Sequence, residues 1–153
     1  MSPDASPLSP YYVSFDDYVG SLPLQKLRDL VQNDQAARLQ VEQQVESQFR
    51  EKLGVRFDVE LALQRRAEAR HPSLLRHMIS AVLYYLYARV VNRNVPPIVE
   101  KRYKEAMMWC EDSVHGRITV DLPLKLEPET SEPLRPAHFS VISTAPKLKF
   151  DDY

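Results

Sequence analysis

The sequence predicts a mainly α protein: a small helical bundle that carries extended β-like arms and a proline-rich carboxy-terminal tail and takes part in an assembly. Three observations lead there. Apolar residues recur at helical spacing over 34 to 53, 72 to 91 and 97 to 115. The three glycines, Gly20, Gly54 and Gly116, all stand where a helical pattern stops. After Gly116 the period changes to two, with Ile118, Val120, Leu122, Leu124 and Leu126 separated by Thr119, Asp121, Pro123 and Lys125. Five of the 12 prolines fall in that final stretch of 37 residues, so it cannot form the interior of a sheet by itself.

Residues 1–13 read as an amino-terminal arm ending in Tyr11 and Tyr12. Ser14 offers a hydroxyl cap, with Asp16 and Asp17 in the first turn of a short helix stopped at Gly20. A second start follows at Ser21 and Pro23, and Leu24, Leu27, Leu30 and Val31 supply one apolar face. Asp34 caps a longer helix whose Ala37, Val41, Val45, Phe49 and Leu53 recur every four residues up to Gly54. From Arg56 the residues Phe57, Val59, Leu61 and Leu63 alternate with polar ones, which reads as an extended arm over 55–70. Helix from Asp58 to Arg70 is the competing reading, because Glu, Leu, Ala, Gln and Arg favour it.

Pro72 opens a broad-faced helix with Leu75, Ile79, Val82, Leu83, Leu86 and Val90 inward, widened by Tyr84, Tyr85 and Tyr87. A turn with two prolines leads into a last helix from Pro97, with Tyr103, Ala106, Met107, Cys110 and Val114 facing in. The helical body is therefore expected over 14–116, with a possible extended arm at 55–70, and an extended arm over 117–153.

With 20 basic against 21 acidic side chains the formal charge is −1, so no net field draws the chain to nucleic acid or anionic lipid. The single Cys110 excludes an intrachain disulfide framework and reads as a buried, inert thiol. No basic and apolar leader opens the chain, and the longest wholly apolar run, residues 81–88, is too short to span a bilayer. The glycines leave no phosphate-cradling loop, and His71, His77, His115 and His138 have no metal-ligand spacing. No nucleophile sits in an activating context, so neither an enzyme nor a cofactor is expected.

Binding is the remaining class. The arm residues Ile118, Val120, Leu122, Leu124, Phe139, Val141, Leu148, Phe150 and Tyr153 are the expected partner contacts, since the tail offers them no helix of its own to pack on. Arg65, Arg66 and Arg70, with His71 and Arg76 nearby, form the densest basic stretch and are candidates for touching DNA or an acidic partner. The tetrapeptide Phe-Asp-Asp-Tyr occurs at 15–18 and again at 150–153.

The run "HPSLLRHMISAVLYYLYARV", the turn "NRNVPP" and the run "VEKRYKEAMMWCEDSVHGRITVDLP" together resemble the Mu-like phage neck protein family. The matching residues are Leu83 with Tyr84 or Leu86 with Tyr87, then Arg102, Tyr103, Ala106, Trp109 and Gly116, while the amino-terminal helices match more loosely. The chain departs from the family's simplest pattern in its longer 52–70 segment and its tail after Pro123. The resemblance implies a structural virion protein of a tailed bacteriophage, a head-to-tail adaptor or head-completion protein in the virion neck that is present in the host cytoplasm during assembly. It implies a homo-oligomeric ring, commonly twelvefold, below the portal protein and above a downstream neck or tail protein. Packaged DNA would pass through the channel with weak contact at most, and no membrane is involved. A tail-completion or stopper protein is the nearest alternative, and a nucleic-acid-binding module using the stretch from Arg65 to Arg76 the next.

Overall fold

A computed structural model of the chain describes residues 10–31, 34–89 and 94–126. Among them five α-helices follow one another: α1 Leu24–Val31, α2 Gln35–Leu53, α3 Val59–Leu63, α4 Pro72–Arg89 and α5 Pro97–Val114. Single 3-10 turns lie at Phe15–Tyr18 and Ala67–Ala69. The protein is mainly helical, a small bundle in which α2, α4 and α5 pack against one another and α1 lies across α2 and α4. No described helix is long and apolar enough to cross a membrane.

The four-residue stripe of α2 goes inward as its spacing dictates: Val41, Val45, Phe49 and Leu53 are buried. They meet Leu74, Met78, Ala81, Val82 and Leu86 of α4, and Ala106 and Cys110 of α5, in one hydrophobic core. Asp34 starts α2 by accepting the Ala37 N–H on its carboxylate at 3.2 Å. Gly54 ends it for a different reason from the left-handed stop that glycine usually supplies. Its φ is −64°, and a Cβ there would lie 2.5 Å from the Arg50 carbonyl oxygen, so close approach demands the glycine. Gly116 does take the left-handed conformation, at φ 71°. There its N–H donates to the Ser113 carbonyl at 3.3 Å and that of Arg117 to the Asp112 carbonyl at 2.9 Å, closing α5.

The segment before α1 is part of the body. Tyr12, Val13 and Tyr18 are buried to 2% exposure or less, so the expected boundary between an arm at 1–13 and a body from 14 falls inside one packed stretch. The expected cap is present in reciprocal form: the Ser14 N–H and hydroxyl both donate to the Asp17 carboxylate, at 2.7 and 2.9 Å.

The extended reading of 55–70 is corrected. A turn covers residues 54–56, Phe57 makes a single β-bridge, and α3 then forms because the Asp58 carboxylate accepts the Leu61 N–H at 3.1 Å. Burial follows helical spacing, with Val59, Ala62 and Leu63 inside and Leu61 48% exposed, so the apparent period of two was a short helix read at low resolution. Local helix propensity and a capping carboxylate outweighed the alternation. Beyond α3, Ala67 stands at φ 51°, a left-handed conformation that is costly for a residue with a Cβ.

The alternation after Gly116 is real, but the surface it covers is the chain's own. Leu122 is buried in the core, and Val120 and Leu124 pack against it. Phe57 and Leu124 form an antiparallel bridge, flanked by Asp58 N–H to the Pro123 carbonyl at 2.8 Å and Lys125 N–H to the Arg56 carbonyl at 2.9 Å. The described body therefore runs from residue 10 to residue 126, ten residues beyond its expected end at 116.

Candidate partner-binding surfaces

The arm residues divide at residue 126. Ile118, Val120, Leu122 and Leu124 are expected as contacts for a partner, yet Leu122 is fully engaged in the core and the other three are half-buried. Leu126, the last described residue, is 59% exposed. Phe139, Val141, Leu148, Phe150 and Tyr153 lie outside the described residues.

The basic stretch is likewise divided. Arg70 is not a free cation: its guanidinium grips Asp17 with two hydrogen bonds, at 2.6 and 2.8 Å, and donates to the Tyr12 carbonyl at 2.8 Å. Burial alone raises the Asp17 carboxyl, but Arg70 and Ser14 together outweigh it and hold the group below its ordinary value. His71 does not add charge either. Its Nδ1 accepts the Leu74 N–H at 3.2 Å and so caps α4, and burial pushes the ring below its ordinary 6.5. Arg66 donates to the carbonyls of Leu63 and Arg65 and is exposed, as are Arg65 and Arg76. The sequence grouped these five by proximity along the chain; the fold uses two of them, Arg70 and His71, as internal ties.

A cleft of about 400 Å³ is lined by Gly20, Ser21 and facing residues of α4 and α5: Arg76, His77, Ile79, Ser80 and Leu83 across from Val99, Arg102 and Glu105. At the floor His77 stacks on Trp109, with ring centroids 4.8 Å apart. Burial, aided by Arg76, pushes His77 down to about 4, so the ring is neutral at pH 7. Arg76, Arg102 and Glu105 are exposed at the mouth, an arrangement suited to charged side chains of a partner.

On another side Tyr84 stacks on Tyr103 at 4.1 Å, and Tyr85 meets both edge-on. The Tyr85 and Tyr103 hydroxyls lie 3.1 Å apart, and Gln48 of α2 bonds each at 3.2 Å. Burial and the neighbouring Tyr103 push Tyr85 up to about 12. This tyrosine group is a packed seam between three helices, the structural role that tyrosine spacing predicts. Cys110 is 1% exposed, and burial pushes its thiol up to about 12.

Sequence spacing gave no sign of the buried ion pair Arg38–Glu42, at 2.9 Å, or of its third member, the Tyr18 hydroxyl, 2.7 Å from Glu42. Both charged residues sit on α2 four apart, a spacing usually found on solvated faces. The available signal was their position one residue beyond Ala37 and Val41 of the apolar stripe. No protein-family model, curated protein or solved structure matches the chain.

Proposed function

We propose that the chain is a structural, non-enzymatic virion protein of a tailed bacteriophage, a head-to-tail adaptor that forms a ring below the portal and extends the DNA channel. The observation that carries this reading is how the residues of the resemblance behave. Tyr84 stacks on Tyr103, Trp109 on His77, Ala106 is fully buried against the α4–α5 pair, and Gly116 takes the left-handed stop. Most residues of the pattern thus serve the packing of α4 on α5 or the stop of α5.

A ring needs two unlike faces on each subunit. The charged cleft between α4 and α5 is one candidate face. The hollow beside Lys125, lined also by Arg50, Glu51, Val55, Phe57 and Glu60, is another, with Val55 62% exposed on it. The chain beyond residue 126, apolar at Phe139, Val141, Leu148 and Phe150, then reaches the portal or a neighbouring subunit. A stopper protein would differ only in its neighbours. The nucleic-acid reading is weakened by Arg70 and His71, whose hydrogen bonds are spent inside the body. The experiment is deletion of residues 127–153: the helical body remains folded, and the truncated protein fails to join portal rings in co-sedimentation.

A further inference from the structure

The first copy of Phe-Asp-Asp-Tyr is held by a seat that reads three of its four side chains. The Arg38 guanidinium lies over the Phe15 ring, 5.2 Å from its centroid. Asp17 receives both nitrogens of Arg70, at 2.6 and 2.8 Å. Tyr18 is fully buried with its hydroxyl donating to Glu42 at 2.7 Å. Asp16 is exposed, and the backbone after Tyr18 leads out to solvent through the exposed Val19 and Gly20. The side-chain contacts to Arg38, Glu42 and Arg70 thus all come from within the four residues, and their exit is open.

We infer that this seat, built by Arg38 and Glu42 of α2 and by Arg70, is a docking site for residues 148–153 of this same chain, which compete with residues 13–18 for it. The sequence match carries the inference. Phe150, Asp152 and Tyr153 repeat Phe15, Asp17 and Tyr18 at identical spacing, and Leu148 stands where the buried Val13 stands in the first copy. Lys149 replaces Ser14, which keeps the backbone N–H that bonds the aspartate and loses only the hydroxyl.

The first copy has an extra anchor. Tyr12 accepts the His71 N–H on its hydroxyl at 2.7 Å and gives its own N–H to Glu46 at 3.1 Å, and Lys147 at the matching position supplies no such phenol. Residues 13–18 are therefore the resting occupant, and the second segment takes the seat when the first is drawn away. Reach is not limiting. The seat at Glu42 lies 11 residues up α2 from Leu53, roughly 16 Å at the helical rise, whereas the 21 residues from 127 to 147 span roughly 25 Å as a coil. The outcome of exchange is a free 10–18 segment carrying Tyr11, Tyr12 and Phe15, available to another surface.

A labelled peptide of residues 146–153 tests this on the isolated protein, whatever becomes of the neck assignment. The variant Phe15→Ala with Asp17→Ala and Tyr18→Ala removes all three side chains that the seat holds. It is expected to bind the peptide at least ~10-fold more tightly than the unaltered chain, whose own segment competes at millimolar effective concentration. Arg70→Ala added to that variant, or Asp152→Ala in the peptide, abolishes the gain. In the unaltered protein, excess peptide speeds hydrogen exchange at the amides of Asp17, Ser21 and Leu22, and this second measurement decides alone if the triple variant does not fold. No binding to a folded vacated seat, unchanged exchange in the unaltered chain, or equal binding of a peptide with residues 150–153 scrambled overturns the inference.

Discussion

Tyr18 links the amino-terminal segment to α2 through a single hydroxyl. Burial, and then the Glu42 charge, push its phenol well above the ordinary 10, so it remains a donor across the whole practical pH range. Replacing it by phenylalanine removes that donor from a carboxylate that is 1% exposed, and the buried ion pair loses a partner it cannot replace with water. Tyr18→Phe is expected to cost about 1–3 kcal/mol, measured by urea unfolding. His77 makes the complementary case for a neutral group. The unfolded chain takes up a proton on this ring below pH 6.5, while the folded chain resists until about 4. His77 therefore leaves stability unaffected above 6.5 and lowers it progressively as pH falls from 6.5 to 4. His77→Phe keeps the stack on Trp109 and flattens the stability profile over that window, by at most about 3 kcal/mol. Neither residue announced its role in the sequence, because both roles depend on what another element brings alongside: Glu42 from α2 and Trp109 from α5.

At the scale of elements, legibility follows the length of the pattern. Helices α2, α4 and α5 were readable because each repeats its apolar spacing over four or more turns and is marked by Asp34, Pro72 or Pro97 at its start. The stretch from Phe57 to Arg70 was not, because five residues of helix and three of 3-10 turn are too short for a period to declare itself. There the decisive contributor was the Asp58 cap. The left-handed Ala67 belongs to the same irregular connection. Ala67→Gly is expected to be neutral or stabilising by up to about 1 kcal/mol, since it relieves the Cβ clash while loosening the unfolded chain. Ala36→Gly, on the exposed face of α2, should instead lose up to about 1 kcal/mol. A thermal melt of the two variants distinguishes them.

For the whole molecule, the tail's period of two correctly gave its alternation and misassigned the surface it covers. Ile118 to Leu124 find their partner at Phe57 and the core beneath it, which no local pattern could reveal because the two stretches are more than 60 residues apart in sequence. The basic stretch failed for a similar reason: Arg70 looked like a surface charge until Asp17, 53 residues away, arrived beside it. The body should consequently depend on residues 117–126. A chain ended after Gly116 loses the burial of Leu122, worth about 1.5–3 kcal/mol, and two backbone hydrogen bonds, and should melt roughly 5–10 °C lower. A chain ended after Leu126 should melt within a degree or two of the full protein, on the order of the scatter between such measurements.

That second truncation is also the sharpest probe of the connector account. Mixed with purified portal rings and examined by co-sedimentation and electron microscopy beside the full-length protein, the chain ending at Leu126 should keep its helical signal and stay in solution while the full chain assembles onto the portal. Assembly of the truncated body to the same extent, or failure of the full chain to join portal at all, contradicts it.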